Sequence, residues 1–423
     1  MPAADAQLEA LFRQEAGRIS AWLVRLLGPK RLDLIEDSVQ DAFAAALAQW
    51  AYSGTPERPA AWLAIAARNK ALDRLRREAR LDSLDTQDEA AAWRLGFSNP
   101  EDTGKPDDTL ALMFVACHPA LSLDEQTMLT LQTVCGFTPR EIARSFLSTP
   151  EAVTQRLVRA KRRIRDLDLA FEIPEGAELA ERLPGLLNAI YLLFNGGYTA
   201  GEGEPLMTHE LCVEGLRLAT LLTGHPATAT GETHALAALM SFHHARAAAR
   251  TGPAGDLILL AEQDRSRWDA ALITRGFEHL RAAMQAHELS ALHLEAGIAS
   301  VHAGARSFEE TDWQQLARYY HTLLQLKPTP VVRLNAAIVT AYAADAAAGL
   351  AELDALAGEK KLAHYAPYHA ARGELLAKLG REGEAAAALE GALGCPVNGA
   401  EREYLTNKLR SCAAERPMRA ALH

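Results

Sequence analysis

Residues 138–165, TPREIARSFLSTPEAVTQRLVRAKRRIR, hold eight Arg and Lys side chains against two Glu, in a chain of net charge -10. Cationic groups at that density neutralise phosphates and release counterions, which is the sequence-independent part of nucleic-acid affinity. Arg and Gln add hydrogen bonds to base edges, worth roughly 1–3 kcal/mol for each good pair. The polar residues available here are Thr154, Gln155, Arg156, Arg159 and Arg163.

Such side chains need a helix to present them. Thr149 as cap, Pro150 at the first helical position and Glu151 in the first turn predict a helix start. From there Val153, Leu157, Ala160 and Ile164 recur as one apolar helical stripe, and the five polar residues lie largely off it. A shorter helix is predicted from Thr138-Pro139, with Glu141 completing a capping box. Asp124 to Cys135 reads as another, stopped by Gly136. Helix, tight turn and basic helix form the helix-turn-helix pattern. The plainer reading of this segment alone is a solvated basic face.

A second basic cluster, Arg68, Lys70, Arg74, Arg76, Arg77 and Arg80, lies on a helix predicted from about Pro59. Trp62, Leu63, Ile65, Ala66, Leu72 and Leu75 give that helix an apolar side, Trp62 being expected in the core. Before it, LIEDSVQDAFAAALAQW (34–50) reads as a helix with its acidic residues early and Phe43 and Leu47 inside. The polar loop AYSGTPERP (51–59) joins the two.

Taken in order, these motifs resemble the extracytoplasmic-function group of the sigma-70 family, the bacterial RNA polymerase specificity factors. Asp37-Ser-Val-Gln40-Asp41-Ala-Phe43 is similar to the D-x-x-Q-(D/E)-x-F helix of region 2, and Ala61 to Asn69 to its W-L-x-x-I-A-x-N helix. Glu141-Ile142-Ala143 and Val153-x-x-Arg156-Leu157-x-Arg159-Ala160 are similar to region 4. The resemblance implies docking of core RNA polymerase on Asp37, Gln40, Asp41 and Phe43. It implies capture of a flipped base of the promoter -10 element by Tyr52, Ser53 and Arg58. Arg68, Asn69, Lys70, Arg74 and Arg77 would hold the melting strand; unstacking costs a few kcal/mol, which a binding pocket offsets. Thr154, Gln155, Val158 and Arg159 would read the -35 element, with Arg156 and Arg163 beside them. Many members carry Lys or Arg where this chain has Thr154.

The expected fold is all-α: an Ala-rich chain of 423 residues with 49% hydrophobic and only 6% aromatic residues, and no alternating β-branched run. That length suggests roughly two to four domains. Residues 1–80 are assigned to region 2, 81–109 to an acidic linker with a short helix near Glu89 to Leu95, 110–172 to region 4 and 173–423 to a helical extension. Residues 1–170 hold 22 basic and 24 acidic side chains and the rest 22 and 30, so the basic clusters sit only in the first part. No apolar run approaches the ~18 residues of a membrane span, and the N-terminus is amphipathic, unlike a signal peptide. Five widely spaced cysteines without a CxxC read as reduced, buried thiols, and a cytoplasmic location is expected.

The extension reads as helical hairpins of tetratricopeptide type with an irregular period. ALMFVACHPALS (111–122), YLLFNGGYTAGEGE (191–204), EQDRSRWDAALI (262–273) and TDWQQLARYYHTLL (311–324) resemble blocks of the sigma-factor subgroup that carries such an extension. The resemblance implies an extension that replaces a separate anti-sigma partner and is needed for activity, and an acidic residue where this chain has Gly196. Asn195 and Tyr198, with Asp264, Arg265, Arg267, Trp268 and Asp269, are candidates for contact with a ligand, a protein or polymerase; the plainer reading is a polar network that fixes packing. The histidines lack metal spacing, and no phosphate loop, nucleophile elbow or carboxylate pair appears, so neither an enzyme nor a cofactor is expected. Two other readings are a helix-turn-helix regulator with a ligand-sensing repeat domain and an enzyme fused to a DNA-binding head.

Overall fold

In a computed structural model the chain is described over residues 2–81, 105–146, 148–198, 209–252, 257–286 and 288–420. These residues are helical, with no strand among them beyond a bridge pairing Thr251 with Leu257. They divide into two compact units, Met1–Leu193 and Phe194–His423. Most of the expected linker, with its short helix, lies outside the described residues; Pro106 already opens the next helix.

The first unit starts with α1 (Pro2–Leu27), α2 (Leu32–Ser53) and α3 (Pro59–Leu81). Gly28 and Gly54, at φ 79° and 75°, allow the chain to leave α1 and α2 in a conformation that a Cβ disfavours. Ile19, Leu23 and Val24 of α1, Ile35, Val39 and Ala42 of α2, and Leu63, Ala67 and Ala71 of α3 form the shared core. Ile65 is 36% exposed, because the buried side of α3 is an alanine-rich stripe rotated from the one the larger residues suggested.

Next come α4 (Pro106–Ala116), α5 (Leu123–Thr133), α6 (Pro139–Ser145) and α7 (Pro150–Asp166). Leu110 to Ala116 are all buried, as an all-round apolar helix must be. Capping boxes at Ser122–Glu125 and Thr138–Glu141, and the Thr149 hydroxyl accepting from Ala152 N–H (3.2 Å), satisfy the first amides of α5, α6 and α7. Gly136 (φ 72°) turns the chain between α5 and α6.

The helices α1 to α3 and α4 to α7 are not separate bodies: they belong to one compact unit. At Gly17 of α1 an added Cβ would lie 1.9 Å from the Val134 carbonyl oxygen, and at Gly136 one would lie 3.3 Å from Ala16. Only glycine permits the first approach. Nor does the unit end at residue 172. In α8 (Gly176–Tyr198) Arg182 donates to the Phe114 carbonyl (2.5 Å) and lies over the Phe114 ring, so the first turns of the expected extension complete the first unit.

The second unit holds α9 (His209–Thr223), α10 (Gly231–Ala245), α11 (Ala270–Ala283), α12 (Ala291–Gly304), α13 (Trp313–Leu326), α14 (Pro330–Ala343), α15 (Ala346–Asp354), α16 (Ala366–Lys378), α17 (Glu382–Leu393) and α18 (Gly399–Ala420). Most pack on their neighbours in sequence, and α12 packs chiefly on α10, one helix removed. Small residues set the spacing: a Cβ at Gly349 would meet Ala341 Cβ at 2.4 Å, and one at Gly373 the Leu389 side chain at 2.9 Å.

Candidate nucleic-acid interface

On α7, Val153, Leu157, Ala160 and Ile164 are at most 2% exposed. That stripe turns Gln155, Val158, Arg159 and Arg162 outward on one face, at i, i+3, i+4 and i+7. Val158, though apolar, is 53% exposed on that face. Neither Arg159 nor Arg162 makes an ion pair among the described residues. Arg162 was missed in the sequence, although its spacing from Gln155 and Arg159 is the signal for it.

The other expected residues of α7 are partly occupied. The Thr154 hydroxyl donates back to the Pro150 carbonyl (2.8 Å), and Arg156 approaches Asp124 at 3.7 Å. Arg163 does not join the outward set as expected: its guanidinium folds onto α5, donating to Glu125 (2.9 Å) and the Ala120 carbonyl (3.3 Å). Burial alone would raise Glu125, but the bonds from Ser122 and the Arg163 charge hold its carboxyl below the usual carboxylate value.

The α7 residue with most consequence was not among the site candidates. Lys161 reaches Glu36 of α2 at 2.6 Å and Asp33 at 3.3 Å, with the Lys161 and Glu36 side chains 9% and 8% exposed. Burial would pull Lys161 down, yet the two carboxylates more than offset it and hold the ammonium above the ordinary lysine value. Burial likewise pushes Glu36 up, against the opposing pull of Lys161. Glu36 Oε1 is buried without a hydrogen-bond partner. Arg165 binds Asp33 (3.0 Å), and Lys30 binds Asp168 (2.8 Å).

In region 2, Asp37, Gln40 and Asp41 are on the open side of α2. Phe43 is a correction: it is 5% exposed and packs edge-on against Phe12, so it belongs to the core and not to a docking surface. Asp37 and Asp41 both accept from Arg74 of α3, at 2.6 and 2.9 Å, and the Asp41 bond leads in holding that guanidinium firmly charged. The expected polymerase acids and an expected DNA arginine therefore form one cluster. Arg31, Arg74, Arg77 and Arg165 line a cleft of about 460 Å³ beside Asp33 and Asp37. Lys70, Asn69 and Arg77 remain exposed on α3, and Arg68 donates to Asn69 Oδ1 (3.1 Å). The loop expected at 51–59 is shorter, since α2 runs through Ser53: Tyr52, in its last turn, is 95% exposed, the Ser53 hydroxyl donates to the Gln49 carbonyl (3.1 Å), and Arg58 is exposed in the loop before α3. A large aromatic at that exposure is available to stack on an unpaired base. Trp62 instead packs edge-on against Trp50.

In the second unit, Asp264, Arg265, Arg267, Trp268 and Asp269 come together as a packing network. Asp264 caps the turn at Ser266, and Asp269 caps α11 at Leu272. Arg265 donates to the His302 and Ala305 carbonyls (2.6 and 2.7 Å) with its guanidinium over the Trp268 ring, and Arg267 donates to the Ala248 carbonyl. Trp268 is 6% exposed. Burial pushes His243 down to about 3 and His302 to about 4, so both are neutral packing groups at pH 7. Asn195 is half-buried on α8, and the side chain of Tyr198 lies outside the described residues. A groove of about 440 Å³ between α16 and α18, lined by Ala370, Gly373, Tyr404 and Leu405, involves none of the sequence candidates. Its rim groups have partners of their own: Lys378 donates to the Tyr342 hydroxyl, and the Glu401 carboxylate accepts from the Asn398 N–H. No described helix is long and apolar enough to cross a membrane.

Residues 11–81, which hold α2, α3 and most of α1, match sigma-70 region 2. Residues 182–284 match a family of unknown function, DUF6596. Over 395 residues the chain is 37% identical to an uncharacterized protein of Rhizobium meliloti (strain 1021), covering 91% of this chain and 92% of the relative. The chain belongs to the same family as that rhizobial protein, and it carries a sigma-70 region 2 domain. Region 2 gives it a sigma-factor-like role in transcription initiation.

Proposed function

We propose that the protein is a sigma factor of the extracytoplasmic-function type, with a tetratricopeptide-like extension needed for activity. Core RNA polymerase docks on Asp37, Gln40 and Asp41. Tyr52, Arg58 and the exposed residues of α3 take the -10 element, and α7 reads the -35 element through Gln155, Val158, Arg159 and Arg162.

The observation that carries this reading is the outward face of α7. Two arginines without ion pairs among the described residues, a glutamine and an exposed valine stand on α7, the basic helix that follows α6 after a short turn, in the same compact unit as region 2. A repressor would need such a face, but it would not need region 2. The test is run-off transcription with purified core polymerase from promoters mapped by overexpression. Addition of the protein should start transcription at those sites, and Asp41→Arg should weaken co-purification with core. A protein that neither binds core polymerase nor directs initiation would leave a DNA-binding regulator or an enzyme fused to a DNA-binding head.

The truncation that tests the extension follows from the unit boundary. Ending the chain after Leu193 keeps the turns of α8 that pack on α4. Transcription should fall while core binding persists. A truncated chain more active than the full one would mean that the extension inhibits.

A further inference from the structure

In the second unit α16 and α18 both pack on α17, and the groove of about 440 Å³ lies between them. Its floor is the open side of a buried apolar cluster that includes Leu389, Val397 and Leu405. Ala370 and Ala371 of α16 are too short to fill the space. The volume is in the range of small-molecule sites, and an apolar wall facing water is a cost that an apolar ligand removes.

The polar groups at the rim decide what head such a ligand carries. Glu374 faces Lys378 at 3.8 Å, Lys378 donates to the Tyr342 hydroxyl (2.9 Å), and Glu401 accepts from the Asn398 N–H (3.0 Å). The Tyr404 hydroxyl and the Lys408 ammonium differ from these: neither makes a hydrogen bond or an ion pair among the described residues, and Lys408 lies over the Tyr404 ring, 5.5 Å from its centroid. Both are donors. An ammonium has no acceptor, and burial, with the Glu374 charge nearby, raises the Tyr404 phenol so that it keeps its proton. Two donors, one of them cationic, at the edge of an apolar hollow complement an acceptor that carries negative charge. We propose that this groove binds a small amphipathic carboxylate, with its hydrocarbon body on Leu389, Val397 and Leu405 and its head at Tyr404 and Lys408.

Size bounds the body. At about 30 Å³ per water-sized group the groove holds roughly fifteen of them, which suits a chain of about ten to fourteen carbons with its head. A partner helix, about 10 Å across, would place barely one turn in that volume. The site belongs to the second unit alone, so it stands whether or not the chain directs transcription.

The test is calorimetric titration of the full chain with straight-chain carboxylates of increasing length. Affinity should rise about fourfold for each added methylene and level off once the chain reaches about ten to fourteen carbons, with one molecule bound per chain. Ala370→Phe, which puts a ring into the groove, should weaken binding tenfold or more, with a thermal melt to confirm that it folds. Lys408→Met keeps the apolar stem and removes the charge; it should weaken the carboxylate by up to about fivefold and leave the alcohol of the same length unchanged. Cys412 lines the groove and the other four cysteines are buried, so bound carboxylate should also slow maleimide labelling of the native chain. Absence of saturable binding, equal affinity for carboxylate and alcohol, or Lys408→Met and folded Ala370→Phe that bind as the wild type does would overturn the proposal. A dimer in sedimentation that Ala370→Phe breaks would also overturn it and give the groove to a second copy of the chain.

Discussion

Both units use close glycine packing and ion pairs between helices, and they differ in the sequence reach of those pairs. In the first, charge links helices far apart in sequence: Glu36 to Lys161, Asp33 to Arg165, Asp37 and Asp41 to Arg74. In the second, Gly276 fits under Phe242, Gly349 against Ala341 and Gly373 against Leu389, mostly between helices adjacent in the chain. Long-range ion pairs can be exchanged for other ions, including phosphate. Close packing of small residues cannot be exchanged without leaving a void or a clash.

The largest effect should come from removing one partner of the buried pair. Lys161→Met leaves the Glu36 carboxylate buried without its ammonium, at a cost of about 3–5 kcal/mol. Adding Glu36→Leu should recover most of that. Urea denaturation of the full chain, followed by hydrogen exchange in α7, measures both. If the double variant is as weak as the single one, the contact is not governed by charge. Next is Gly349→Ala, whose methyl would lie 2.4 Å from Ala341 Cβ and 2.7 Å from the Ala337 carbonyl oxygen. It should cost about 1–3 kcal/mol, by the same amount at low and high salt. A cost that depended on salt would erase the distinction between the units.

The smallest effect is in α5. Because Glu125 titrates below its ordinary value, its contribution is complete above the ordinary carboxylate range and is lost as pH falls through the depressed value. Glu125→Gln should therefore melt below wild type at neutral pH, by no more than about 1 kcal/mol, and the gap should close in acid. A gap that persists once the carboxyl is protonated would show that charge is not its source.

The difference between the units also explains what could be read from the sequence. Helix starts were legible because caps are local: Thr138-Pro139 and Thr149-Pro150 open α6 and α7 as expected. The outward face of α7 followed from the apolar stripe, except that Arg162 was passed over although its spacing from Gln155 and Arg159 marks it, and Arg163, about 100° further round the helix, was included although Glu125 captures it, a contact between helices that local spacing does not show. Phe43 was read as an inward residue from periodicity and as a docking residue from the motif; its ring, packed against Phe12, fits the first reading. The Glu36–Lys161 pair was out of reach, since nothing local links residues 125 positions apart. The same limit hid the union of α1 with α5, where Gly17 meets the Val134 backbone.

The most direct test of the account is the salt dependence of promoter binding by the polymerase complex. Removing a side chain that neutralises one phosphate lowers the slope of log affinity against log salt by roughly one. Arg159→Ala with Arg162→Ala should remove up to about two from that slope, or abolish discrimination among -35 sequences if the side chains read bases. Arg163→Ala, whose guanidinium is held by Glu125, should leave both nearly unchanged. An Arg163→Ala effect equal to that of the double variant, with Arg159 and Arg162 indifferent, would mean that α7 meets DNA by another face.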